Sequence, residues 1–310
     1  MYIYIALDIN ISQKKIINEK FLGHKVFFNS NLEFEKKPET NFLKSEIIFG
    51  NVPVDWIKKS KKIKWIQLES TGFGEYLVIL KAQSSKKILF TNLKGFFKDP
   101  VAHSMIAGIL CFYRGIETFI KLKEQKKWIG DPLRNKLETL NGKKIIFFGH
   151  GLINQELKNY LMPYKCRFDY IDSKTNTKKI DLLLKQADII ACCAPETKDT
   201  INFFNSKKLN LLKKNALLIN AGRGSLIDEN ALVKLLKNKR IKGAVLDVSK
   251  TEPLKKTSAL WSCPNLILTQ HTGGGSIDEI SKKISFFEKN FKRFINNKTP
   301  YGKVNSLKGY

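Results

Sequence analysis

Three polar residues of this 310-residue chain stand where an open α/β sheet would do chemistry. Arg223 lies in "LLINAGRGSLIDENAL", Glu252 in "AVLDVSKTEPL" and His271 in "NLILTQHTGGG". Each follows an apolar run that reads as a strand, and open parallel sheets bind ligands beyond the carboxyl ends of their strands. Reduction of a 2-oxo acid needs a grip on the carboxylate, a proton for the ketone oxygen and a hydride. An arginine fork holds a carboxylate and polarises the carbonyl beside it. A histidine exchanges protons near neutral pH, and a carboxylate behind it favours the charged ring and fixes its orientation. Only four histidines occur, at 24, 103, 150 and 271. Singly, Arg223 between glycines has a turn to stabilise and His271 a loop to cap. The three together, in that strand order, point to a site.

A place for the hydride carrier lies upstream. "KKIIFFGHGLINQELKNYL", residues 143 to 161, runs from an apolar strand through glycines into an amphipathic segment. Gly149 would make the tight turn and Gly151 would let the backbone approach a pyrophosphate. The helix opening at Leu152 and Ile153 would aim its N-terminus at the phosphates. The sixth position of the G-x-G-x-x-G pattern is Asn154. It is expected to be a tolerated packing substitution that either displaces the helix slightly or points its amide along the groove toward the phosphates. The next strand, "CRFDYIDS", ends in Asp172, 23 residues after Gly149. An acidic side chain there binds both ribose hydroxyls and repels a 2′-phosphate, which predicts NAD rather than NADP.

These groups need a scaffold of strands. Early strands are expected at 2–7, 25–28, 46–49, 64–68 and 87–90. A second series is expected at 144–149, 166–172, 187–194, 215–220, 242–247 and 265–269. Amphipathic segments alternate with them, which implies parallel sheets with helices on both faces and two α/β domains. Residues 99 to 128 have apolar side chains at three- and four-residue spacing behind Asp99-Pro100, which predicts one long connecting helix. A second amphipathic helix, 281 to 297, would carry the chain back to the first domain. The expected division is a substrate (catalytic) domain from 1–97 and 276–310, and a nucleotide-binding domain from 98–275.

Composition narrows the partners. The net charge is +27, but only six of the 55 basic residues are arginines, the side chain that reads bases by paired hydrogen bonds. Specific nucleic-acid binding is not expected. No apolar run reaches the roughly 18 residues that span a bilayer. "MYIYIALDIN" lacks a basic start and reads as a first strand rather than a signal peptide. The five cysteines (111, 166, 192, 193 and 263) include no C-x-x-C pair, which suggests free buried thiols, a reducing cytoplasm and no metal site.

The segments "NAGRGSLIDENAL", "PETKDTINFFN", "EPL", "CPNLILTQHTGG", "WIQLESTGFGEY" and "NLKGFFKDPVA" extend over nearly the whole chain. In them the chain resembles the D-isomer-specific 2-hydroxyacid dehydrogenase family, which includes phosphoglycerate dehydrogenase and glyoxylate/hydroxypyruvate reductase. The resemblance implies two Rossmann-like α/β domains, an NAD-binding doubly wound parallel sheet and a flavodoxin-like substrate domain. It implies an NAD-dependent enzyme acting on a small 2-hydroxy or 2-oxo acid, and a homodimer joined largely through the cofactor domain. It assigns Arg223 to the substrate carboxylate, His271 to acid/base work and Glu252 as its partner. Ser70, Thr71 and Gly72 would meet the substrate carboxylate. Cys193, Ala194 and Pro195 would line the adenosine side, Asp247 would reach the nicotinamide carboxamide, and Ala221, Gly273 and Gly274 would complete the cofactor groove. The chain departs from the family pattern at Asn154, at Gln270 in place of a proline, at His103 in place of a glutamate and at Ser249 in place of an aromatic residue. A competing expectation is a catalytically idle NAD(H)-binding regulator or scaffold on the same fold.

Overall fold

The computed structural model describes residues 1–29, 34, 37–82 and 88–305. The chain divides into two compact units, Met1–Phe96 with Ser276–Tyr310, and Phe97–Gly275.

The first unit holds five parallel strands: β1 (Tyr2–Ile5), β2 (Lys25–Phe28), β3 (Ile47–Phe49), β4 (Trp65–Gln67) and β5 (Leu89–Thr91), in the order β2-β1-β3-β4-β5. Lys87, where the fifth strand was expected to begin, lies outside the described residues. Both faces are buried, so the strands read as continuous apolar runs rather than alternating ones. Tyr4, Ile48 and Ile66 pack on one face with Phe42 and Trp56. Ile3, Ile5, Phe49 and Trp65 pack on the other against Ile284, Phe287 and Phe291 of the helix Glu279–Ile295. The Phe287 ring stacks on Phe49 at 4.3 Å and on Trp65 at 5.3 Å. A buried phenyl group of this kind contributes about 2–3 kcal/mol. The residues after this helix are tied to the same sheet. The Tyr301 N–H donates to Asn290 Oδ1 at 2.7 Å, and the Val304 N–H to the Phe90 carbonyl at 3.0 Å.

The second unit holds six parallel strands: β6 (Lys144–Phe148), β7 (Arg167–Ile171), β8 (Ile189–Cys192), β9 (Leu217–Asn220), β10 (Gly243–Leu246) and β11 (Leu266–Leu268). Their order is β11-β10-β9-β8-β6-β7. From β6 the chain first builds outward to β7 and then crosses back to β8. The topological switch point therefore falls between β6 and β8, where open α/β sheets take their ligands.

The single helix expected over 99 to 128 is two. One spans Lys98–Tyr113 and the other Ile116–Glu124, and Gly115 between them has φ 63°. Glycine takes this left-handed conformation without a Cβ penalty, so it ends the first helix. The apolar spacing continues on both sides of the break, which hid it in the sequence. Among the described residues no helix is long and apolar enough to cross a membrane. All five cysteines are free, but only Cys192 is fully buried; the other four are partly exposed, contrary to the expectation of uniformly buried thiols.

Candidate active site

The carboxyl ends of the six second-unit strands carry every residue singled out there. β6 leads into Gly149, whose φ is 96°. A Cβ on Gly149 would lie 3.1 Å from the Ala194 backbone after β8. The two sides of the switch-point crevice thus approach closely at a residue with no side chain. The helix Leu152–Leu161 starts at Gly151, which supplies no side-chain cap for the first N–H groups. β7 leads into Asp172, whose Oδ1 accepts from the Lys174 N–H at 2.9 Å and the Thr175 hydroxyl at 3.0 Å. These bonds, the backbone one foremost, hold its carboxyl below the usual range. After β8, Cys193 Sγ meets Met105 Sδ at 3.5 Å. Burial, helped by the nearby charge of Asp247, pushes the Cys193 thiol up to about 12. A thiol with so little thiolate is a poor nucleophile.

Asn154 does not point along the groove. It is fully buried, and its Nδ2 donates to the Gly149 carbonyl at 2.7 Å and the Phe148 carbonyl at 3.3 Å. Two of the other departures make local side-chain contacts. His103 stacks on Tyr160 with ring centroids 4.8 Å apart. The Ser249 hydroxyl donates to the Thr251 carbonyl at 2.8 Å.

Beyond β9, Arg223 sits in a turn with no room to spare. A Cβ on Gly222 would lie 2.9 Å from the Ala194 carbonyl oxygen, and one on Gly224 would lie 2.0 Å from the Ser249 backbone. Both glycines flanking Arg223 are therefore required by close approach. Asn220, buried at the end of β9, closes the turn: its Oδ1 accepts from the Gly222 N–H at 3.1 Å and its Nδ2 donates to the Arg223 carbonyl at 2.8 Å. Arg223 itself is exposed, with Nη1 donating to the Gly222 carbonyl at 2.7 Å. The second half of "NAGRGSLIDENAL" is a helix start. Asp228 accepts from the Ala231 N–H at 3.1 Å and caps Glu229–Lys237.

Beyond β10 and β11, His271 Nδ1 lies 2.6 Å from Glu252 Oε2. The His271 side chain is 54% exposed, so the ring remains open to a ligand. Its turn hangs on Asp247. Asp247 Oδ1 accepts from the Thr269 hydroxyl at 2.6 Å and from the Thr272 and Gly273 N–H groups at 3.0 Å each. Gln270 and His271 both have left-handed backbones, with φ 55° and 57°.

In the first unit, the 70–72 loop follows β4. Asn51 Nδ2 donates to Ser70 Oγ at 3.2 Å, Ser70 Oγ to the Gly72 carbonyl at 2.7 Å, and Asn92 Nδ2 to the Thr71 carbonyl at 2.7 Å. Asn51 and Asn92 brace it from two sides.

Residues 106–273, more than half of the chain, match the family model described as "D-isomer specific 2-hydroxyacid dehydrogenase, NAD binding domain". The chain belongs to this family. A glyoxylate reductase of Thermococcus litoralis is 28% identical over 276 residues, which cover 84% of this chain and 82% of that protein. A D-isomer specific 2-hydroxyacid dehydrogenase family protein of Aeromonas salmonicida superposes with a TM-score of 0.82 at 22% identity, covering 98% of each chain. An NADPH-dependent glyoxylate/hydroxypyruvate reductase of Sinorhizobium meliloti superposes with a TM-score of 0.79 at 17% identity, covering 99% of each chain. These likenesses carry the two-domain parallel α/β fold of the family.

Sequence reasoning missed the braces. Asn220 stood in plain view inside the most specific motif, and a polar residue ending a buried strand before a glycine turn is a usable signal. Thr269 and Thr272 gave no such sign, because their partner Asp247 lies 22 and 25 positions away.

Proposed function

We propose that the protein is an NAD-dependent dehydrogenase that moves hydride between nicotinamide and C2 of a small D-2-hydroxy or 2-oxo acid. The 2.6 Å contact between His271 Nδ1 and Glu252 Oε2 carries this reading. Glu252 follows β10, the neighbour of the β9 strand that leads to Arg223, and His271 follows β11 beyond it, all at the carboxyl end of the sheet that also carries the glycine turn. With Nδ1 held by Glu252, Nε2 of His271 is the atom left to give a proton to the ketone oxygen during reduction and to take it back during oxidation. Arg223 holds the substrate carboxylate with the guanidinium N–H groups that Gly222 does not use. Ser70, Thr71 and Gly72 of the 1–97 and 276–310 substrate domain are proposed as substrate-carboxylate residues in their own right.

The 98–275 domain suits a dinucleotide. Gly149 admits close approach, the helix after Gly151 is uncapped, and Asp172 follows β7 with one carboxylate oxygen outside its own turn. When bound, NAD(H) supplies or accepts the hydride. Gly149, Gly151, Leu152 and Ile153 would face the pyrophosphate and Asp172 the ribose hydroxyls. Cys193, Ala194, Pro195, Ala221, Gly273 and Gly274 would line the groove. Asp247 keeps Oδ2 for the carboxamide, since Oδ1 serves the His271 turn.

The test is steady-state turnover of a 2-oxo acid panel with NADH and NADPH. NADH should be preferred by about 30- to 150-fold, or about 2–3 kcal/mol, because a 2′-phosphate would replace a hydrogen bond with repulsion at Asp172. Equal use of both cofactors would defeat the cofactor assignment and leave the reaction standing. Saturable NADH binding with no turnover of any 2-oxo acid would replace the enzyme by the idle scaffold. A cytoplasmic homodimer completes the reading. Phe119, Ile120 and Trp128 leave apolar surface at the second unit, with Trp128 98% exposed. A monomeric mass at micromolar concentration would remove the dimer.

A further inference from the structure

The glycine turn after β6 is held from behind by two side-chain amides. Asn154 Nδ2 donates to the Gly149 carbonyl at 2.7 Å, and Gln155 Nε2 donates to the His150 carbonyl at 3.2 Å. Both donors come from the first turn of the helix Leu152–Leu161. In a trans peptide the C=O and the following N–H are antiparallel. Drawing the Gly149 and His150 oxygens toward the helix therefore turns the His150 and Gly151 N–H groups the opposite way. The Gly149 N–H is fixed independently, donating to the Ile171 carbonyl at 2.9 Å.

The orientation of the Asn154 amide is not ambiguous. Three carbonyl oxygens surround Nδ2, from Phe148, Gly149 and Ala191 at 3.3, 2.7 and 3.5 Å. Rotating the amide would press Oδ1 against all three. In the orientation adopted, Oδ1 is buried with no hydrogen-bond partner. A buried amide with one end unpaired costs stability, so its donor end is where it contributes. A purely space-filling role would be met better by an apolar side chain of the same size.

We propose that Asn154, with Gln155 as the outer arm, is a positioning residue for dinucleotide binding: an amide clamp that presets the Gly149–His150–Gly151 peptides so that their free N–H groups face a pyrophosphate. The clamp rests on the cofactor reading above. It assigns Asn154 a task that glycine at this position cannot perform, since glycine lacks the donor.

The experiment is Asn154→Leu, which keeps the volume and removes the donor, measured beside the wild type. Binding of ADP-ribose and of adenosine is titrated with each protein, and steady-state kinetics are run with NADH and glyoxylate. The clamp expects ADP-ribose affinity to fall and the KM for NADH to rise, each by about tenfold. Adenosine affinity should be unchanged, and kcat at saturating NADH should stay within about threefold. Unchanged ADP-ribose binding in the variant would overturn the clamp and leave the cofactor reading intact, as would an equal loss for adenosine and ADP-ribose. Failure of the wild type to bind ADP-ribose, NADH or NADPH would bring down the cofactor reading and the clamp with it. Should Asn154→Leu not fold, Gln155→Leu decides. Its side chain is exposed, and a loss of about threefold in ADP-ribose affinity is expected; no loss would overturn the clamp.

Discussion

The two turns that carry Arg223 and His271 solve the same problem in opposite ways. The Arg223 turn is wedged: Gly222 and Gly224 lie against the backbones of Ala194 and Ser249, and any side chain there would collide. The His271 turn is tethered: a single carboxylate oxygen of Asp247 gathers three donors from Thr269, Thr272 and Gly273. The wedge tolerates no larger residue but asks for no charge. The tether accepts ordinary side chains but holds two of them, Gln270 and His271, in left-handed backbone. Steric positioning writes itself into the sequence as glycine. Electrostatic positioning leaves only a common aspartate and two common threonines.

The largest effect should come from the acid/base role proposed for His271. His271→Gln should lower kcat for 2-oxo acid reduction by about 10²–10⁴-fold with NADH affinity nearly unchanged. Reduction consumes a proton and oxidation releases one, so the equilibrium should favour reduction at lower pH and oxidation at higher pH. A variant that kept most of its kcat would leave the tether with nothing to position.

Breaking the wedge should cost folding as well as turnover. Gly224→Ala should destabilise the chain by about 1–3 kcal/mol, as overpacking usually does, with a matching loss in kcat/KM. Denaturant unfolding of the variant beside the wild type measures it, and an unchanged midpoint would mean that the Ser249 backbone yields easily. Loosening the tether should be milder. Asp247→Asn keeps one acceptor oxygen but loses the charge that strengthens three bonds, so kcat should fall by about tenfold with little change in stability. A parent-like kcat in that variant would separate the carboxylate from the histidine.

The smallest effect has the opposite sign. Gln270→Gly should stabilise the chain by about 1 kcal/mol, because a left-handed backbone costs a residue with a Cβ that much. Thermal unfolding reads it out. Destabilisation would show that the Gln270 side chain, rather than its backbone, is what the turn needs.

The same contrast explains how far the sequence could be read. The strands of both sheets were legible because burial on two faces leaves apolar runs of Val, Ile, Leu and Phe. Arg223, Glu252, His271 and the Gly149 turn were legible because strand ends collect polar residues and glycines. The break at Gly115 was not, since one glycine inside an unbroken apolar period reads as a tolerated helix residue. Nor was the direction of Asn154, because its acceptors include Ala191, 37 positions away, and long-range partners leave no local pattern. The brace around Ser70 and Thr71 was hidden for the same reason, with Asn51 and Asn92 lying about twenty positions to either side.

The helix Glu279–Ile295 packs Phe287 onto Phe49 and Trp65. That contact has a consequence for synthesis. The second unit is one continuous stretch, Phe97–Gly275, whereas the first is split around it. A ribosome delivers every strand of the first sheet early, with Ile17 and Phe21 beside one of its faces, yet Ile284, Phe287 and Phe291, which complete that face, follow the whole second unit. Through the translation of about 180 residues, Ile3, Ile5, Phe49 and Trp65 wait without the ring that will seal them. The inserted half can therefore close its own core while the Phe49 and Trp65 rings still lack the Phe287 ring that stacks on them.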